Sequence, residues 1–74
     1  MKAPNWAVNS LGRKVYLSQI FYDGITTYPI GSSGRLISIQ AGKNSPYATV
    51  VMDGDLTNAE ENFKFSELCP ERVR

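Results

Sequence analysis

At 74 residues the chain holds one domain at most, near the lower end of what folds without covalent staples. Eight basic and seven acidic side chains nearly cancel, which argues against a binder that grips nucleic acid by neutralising phosphates. A lone cysteine, Cys69, excludes an internal disulfide, and the lack of histidine removes the commonest general base and metal ligand.

The hydrophobic share of 42% and the charged share of 20% are those of a globular protein, not of a disordered one. Eight aromatics supply large apolar surfaces from which so short a chain can build a core. No apolar run reaches the length of a signal-peptide core or a membrane span. Single-cysteine usage suits a reducing compartment, so the expectation is a soluble cytoplasmic protein with no membrane partner.

In chain order, residues 1–11 lack a period and include Pro4 and two asparagines. They read as an N-terminal arm docked by Trp6 and Val8, ahead of a domain over 12–74. Arg13 to Ser18 alternates, with Val15 and Leu17 on one face, and predicts a half-buried strand. Residues 19–33 form a long loop in which Ile20, Phe21 and Tyr22 precede an Asp23-Gly24 turn and Ile25 to Tyr28 return as a hairpin arm. Pro29, Gly31 and Gly34 turn the chain sharply into a strand over Gly34 to Gln40. There Leu36, Ile37 and Ile39 break alternation, which predicts a bulge. Residues 41–46 are a turn by composition, and Tyr47 to Asp53 is a strand centred on Thr49, Val50 and Val51. A polar connection runs to Glu61, its best helical stretch being about one turn over Thr57 to Glu61. Asn62 to Ser66 alternates with Phe63 and Phe65 on one face. Ser66-Glu67-Leu68 is a tight 3₁₀-like turn stopped by Pro70, and Val73 is placed to add a last short strand.

Gly12-Arg13-Lys14-Val15-Tyr16-Leu17, Pro29-Ile30-Gly31-Ser32-Ser33-Gly34-Arg35-Leu36, Thr49-Val50-Val51-Met52-Asp53-Gly54 and Phe63-Lys64-Phe65-Ser66-Glu67-Leu68-Cys69-Pro70 together resemble the SH3-like small barrel. The same order of features is similar to the photosystem I accessory barrel, the variable subunit of ferredoxin–thioredoxin reductase, KOW-type ribosomal modules, and short barrels of phages and mobile elements. The resemblance implies an all-β fold: a single five-stranded SH3-like barrel with one short 3₁₀ turn before the last strand. It implies no particular activity, because such barrels host many. The chain departs from proline-peptide-binding SH3 domains, since Phe21-Tyr22-Asp23 only grazes their Ala-Leu-Tyr-Asp-Tyr run and Trp6 lies outside the barrel.

No residue pattern points to catalysis, a cofactor or a metal. Cys69 has only carboxylates and lysines to activate it and reads as a structural, buried or half-buried residue. Counted from Asp53, a calcium loop needs Gly sixth and Glu twelfth, where this chain has Asn58 and Lys64. Asp53, Asp55, Glu60 and Glu61 therefore read as a solvated hairpin tip, with an acidic docking patch as the alternative. Gly31-Ser32-Ser33-Gly34 lacks the Gly-Lys-Ser/Thr ending of a phosphate loop and leads tightly into a strand. Lys2, Arg13 and Lys14 load the first strand region and Arg72 and Arg74 the tail, so a basic side and an acidic side are expected.

The candidate partner-binding residues are Lys14, Tyr16, Phe21, Tyr22, Tyr28, Tyr47, Asp53 and Asp55. Aromatics on the long loop and beside the turn after the second strand border one groove, where flat rings offer low-entropy contact area. In the plainer reading, two or three of them plug the barrel end. The expected function is a non-catalytic protein-interaction module docking on a larger protein, of the kind a phage or mobile element encodes as an inhibitor. Exposed strand edges also suit a homo-oligomer. The alternative is a KOW-like nucleic-acid-associated domain using Lys2, Arg13, Lys14, Arg35 and Arg72.

Overall fold

The computed structural model describes residues 3–72. Five strands form one antiparallel sheet in the order β6-β5-β4-β1-β7, and β2 and β3 form a separate hairpin. β1 (Lys14–Leu17), β4 (Ser33–Gln40), β5 (Tyr47–Met52), β6 (Glu60–Phe63) and β7 (Leu68–Cys69) make the sheet. The hairpin, β2 (Phe21–Tyr22) and β3 (Thr27–Tyr28), lies within the long loop between β1 and β4. The fold is all-β, with one five-residue helix and a single 3₁₀ turn, Phe65–Glu67, among the described residues, the turn lying just before β7. β6 and β7 are the sheet's two edges, and no strand ladder joins them among the described residues.

Alternation decides the core. Val15 and Leu17 of β1 point inward, as do Ala48, Val50 and Met52 of β5, Phe63 of β6 and Leu68 of β7. β4 would lose this phase without a bulge: Leu36 pairs with Val50 but Ser38 with Thr49, so Ile37 is the extra residue. The slip lets both Leu36 and Ile39 meet the core while Ile37 faces out. On the opposite face of β5, Thr49 is buried and donates its hydroxyl to Asn62 Oδ1 at 3.2 Å, and no buried side-chain nitrogen or oxygen among the described residues is left unpaired.

Gly31 and Gly34 do different work. Gly31 has φ +90°, a conformation that favours glycine, and makes the turn after Pro29. Gly34 has no positive φ; it lies where β4 crosses β5 too closely for a side chain.

Two expectations are corrected. Residues Asn5–Asn9, read as part of an aperiodic arm, form a short helix, α1. Ala7 sinks fully into the core, Trp6 meets Phe65 edge-on at 6.1 Å, and Val8 remains exposed. The small alanine allows the helix backbone to approach the sheet, and the Ser10 hydroxyl closes the helix end on the Trp6 carbonyl at 2.7 Å. Second, the strand over Asn62 to Ser66 starts earlier and stops at Phe63, so Phe65 belongs to the 3₁₀ turn and is only half-buried. The Glu67 carboxylate accepts the Lys64 backbone N–H at 2.8 Å, pulling the chain out of the strand. Over Thr57 to Glu61, where no helix of useful length is expected, none forms: β6 begins at Glu60, which pairs with Val51. The last strand is Leu68–Cys69 beside β1; Val73, Lys2 and Arg74 lie outside the described residues. Cys69 is half-buried, its thiol within 3.0 Å of the Glu71 carbonyl.

Candidate functional site

Two turns built alike create a cleft. In the long loop, Asp23 Oδ1 accepts the backbone N–H groups of Ile25 and Thr26 at 2.8 and 2.7 Å. Across from it, Asp55 Oδ1 accepts the N–H and the hydroxyl of Thr57 at 2.9 and 2.7 Å. In each, an aspartate folds the backbone around its own carboxylate, the device that makes Asp a turn former. The aliphatic residue inside each turn projects into solvent. Ile25 is 91% exposed and Leu56 96% exposed, and both border the cleft.

The cleft has a volume of about 490 Å³. Its hairpin wall carries Asp23 and Tyr28, its β5–β6 loop wall carries Asp53 and Asp55, and Glu61 of β6 completes the lining. Among the described residues, no lysine or arginine lines it. The hairpin wall is anchored from beneath: Phe21 stacks on Tyr28 at 6.1 Å and meets buried Phe63 edge-on at 4.7 Å. Tyr22, whose hydroxyl donates to the Gly24 carbonyl at 2.8 Å, braces the turn from outside.

Negative charge gathers in this space. Burial, then the charges of Asp55, Asp23 and Glu61, push the Tyr28 phenol above its ordinary value. Burial also raises the Glu61 carboxyl, with Asp23 and Asp55 adding repulsion. Hydrogen bonds from Thr57 hold Asp55 lower than usual, so it stays charged. Asp53 is likewise held low, first by the Ser33 hydroxyl and then by Lys14, whose Nζ lies 3.3 Å away. Asp53 also relieves a local conflict, since Lys14 and Arg35 stand directly opposite each other in the β1–β4 ladder.

No family model, curated protein or solved structure matches this chain. Among the described residues, no helix is long and apolar enough to cross a membrane, and no cluster of three or more metal-ligating side chains is placed to hold an ion.

Of the residues singled out in the sequence, Tyr28, Asp53 and Asp55 line the cleft, with Phe21 beneath it and Lys14 on its flank. Tyr16 is half-buried mid-sheet between Ser33 and Cys69. Tyr47 opens β5 opposite Gln40, away from the cleft. The wall facing the long loop is therefore the β5–β6 loop; residues 41–46 enclose only a separate hollow of about 210 Å³. Asp23, Ile25, Leu56 and Glu61 were not singled out as cleft residues. The signal for Asp23, Ile25 and Leu56 was an aliphatic residue stranded between aspartate and threonine, in Asp23-Gly24-Ile25-Thr26 and again in Asp55-Leu56-Thr57, while Glu61 is legible only as part of the acidic stretch.

The raised Glu61 carboxyl has a stability consequence with a definite sign. The folded state binds this proton more tightly than the unfolded chain, so the contribution is complete below the unfolded value and lost as pH rises through the folded one. Glu61→Gln should leave stability near pH 3 unchanged and raise it at pH 7 by up to about 1 kcal/mol. Melting temperatures of both proteins from pH 3 to 8 test this; a glutamine variant less stable at pH 7 would contradict it.

Proposed function

We propose that this chain is a small protein-interaction module of SH3-like build, and that it docks on a larger protein at the cleft between the long loop and the β5–β6 loop. The strand order β6-β5-β4-β1-β7, the hairpin within the long loop and the 3₁₀ turn before β7 support the SH3-like part of the reading. The observation that carries the docking part is the pair Ile25 and Leu56, exposed on two turns that border one cleft and whose backbones are tied by the Asp23 and Asp55 carboxylates. Covering each aliphatic side chain is worth about 1.5–3 kcal/mol. Single exposed apolar residues are ordinary on protein surfaces; two locked at the rim of one cleft are a docking feature.

The test is capture from the cells that make the protein, with wild type and the Ile25→Ser/Leu56→Ser double variant compared. Both positions are exposed, so the variant should melt within a few degrees of wild type, a surface change being worth about 0.5 kcal/mol or less. A partner retained in stoichiometric amount by wild type and lost by the variant is expected. Equal retention by both proteins counts against the cleft. Retention of nucleic acid with a steep salt dependence would favour the KOW-like alternative, although the carboxylates of this cleft repel phosphate.

A further inference from the structure

We infer that the cleft accepts a cationic segment of a partner protein, one that presents lysine or arginine beside an aliphatic or aromatic side chain. This rests on the docking reading and names the partner's chemistry.

The lining combines two properties that a single class of segment satisfies. Asp23, Asp53, Asp55 and Glu61 supply carboxylates to the lining, which has no lysine or arginine among the described residues, and only Asp53 is paired with a cation, Lys14 on the flank. Ile25 and Leu56 supply apolar rims. A purely apolar segment would bury these carboxylates without compensation, at a cost of several kcal/mol per charge. A purely cationic segment would leave the aliphatic rims in water. Lysine and arginine meet both demands, because their apolar stems lie along aliphatic surface while the charged heads reach carboxylates.

Glu61 is the residue most in need of such a partner. Its side chain makes no hydrogen bond or ion pair with the described residues, whereas Asp23, Asp53 and Asp55 each hold a turn or a neighbour. The raised proton affinities of Glu61 and Tyr28 report the same surplus of negative charge. An incoming ammonium or guanidinium group would relieve it. Complementary charge of this kind also speeds encounter and rejects acidic partners.

Three capped synthetic peptides serve as probes: one of lysine and leucine, the same peptide with serine for leucine, and the same with glutamate for lysine. Each is titrated into ¹⁵N-labelled full-length protein and followed by amide chemical shifts. The lysine–leucine peptide should shift residues 23–28 and 53–61, with affinity that falls as salt rises. The serine peptide and the Glu61→Gln protein should each bind about three- to tenfold more weakly, and the glutamate peptide should not bind. Glu61→Gln removes charge without removing a hydrogen bond, so its fold is maintained.

Shifts scattered outside the cleft, equal binding of the glutamate peptide, or unchanged affinity of Glu61→Gln would each overturn the inference. So would sedimentation showing that the protein alone dimerises and that Glu61→Gln restores the monomer, because the occupant would then be a second copy. If the lysine–leucine peptide fails while the Ile25→Ser/Leu56→Ser variant still loses its captured partner, the docking module stands and the cationic partner falls.

Discussion

Phe63→Ala is expected to destabilise the protein by about 3–5 kcal/mol, the usual cost of emptying a phenylalanine site in a core. Domains of this length have roughly 4–11 kcal/mol in total, so a large fraction of the stability is at risk. The melting temperature should fall by well over 10 °C, at about 4–8 °C per kcal/mol. Phe63 is buried in the β6 edge and meets Phe21 at 4.7 Å, and Phe21 in turn stacks on Tyr28. Its loss should therefore also loosen the hairpin wall of the cleft, visible as faster amide exchange over residues 21–28 than over β4. Phe21→Ala, at a half-buried position, should loosen the same wall at a smaller cost in melting temperature. A loss below about 1 kcal/mol for Phe63→Ala would mean that this ring is not the anchor described.

Gly34→Ala is expected to cost about 1–3 kcal/mol or more, although alanine lowers the entropy of the unfolded chain and would be stabilising at an unstrained site. A Cβ at Gly34 would stand 2.7 Å from Val50 Cγ1, 2.9 Å from the Val51 carbonyl oxygen and 3.2 Å from Met52 Cα. Val50 Cγ1 belongs to a side chain packed in the core and the other two atoms are backbone, so β4 and β5 must part for the methyl to enter. A double-mutant cycle separates these contributions. In a Val50→Ala background the Cγ1 clash disappears while the backbone clash remains, so Gly34→Ala should still destabilise, by less than before. Full rescue would show that the side chain alone sets the limit. A stabilised single variant would disprove the close crossing.

Alternation was readable wherever one strand face is dry. Val15 and Leu17 were legible as inward residues, and the broken rhythm of Leu36, Ile37 and Ile39 was legible as a bulge, because a slip of one residue exchanges the two faces of a strand. Five residues are too few to display a helical period, so Asn5–Asn9 gave no signal; burial of Ala7 and the Trp6–Phe65 contact hold that turn of helix in place. Phe63 and Phe65 look like neighbours on one strand face. The bond from the Lys64 N–H to Glu67 ends the strand between them.

The candidate site was half legible. Tyr28, Asp53 and Asp55 were recognisable as unusual residues, and each proved to line the cleft. Which loop faces the long loop was not recognisable, and Tyr47, expected beside the groove, opens β5 opposite Gln40 and is not among the residues lining the cleft. Local composition marks residues 41–46 and 53–59 alike as turns.

What the amino-acid order determined by itself is the inventory: short strands, polar turns, an apolar face for each strand, and two aspartates able to lock their own turns. These follow from contacts among residues a few positions apart. What only the tertiary structure decided is company. Strand order sets the β5–β6 loop against the hairpin, and packing on Phe63 orients that hairpin, so that four scattered carboxylates and two stranded aliphatic side chains share one cleft. Such meetings depend on pairings between segments far apart in the chain, where no periodicity carries the information.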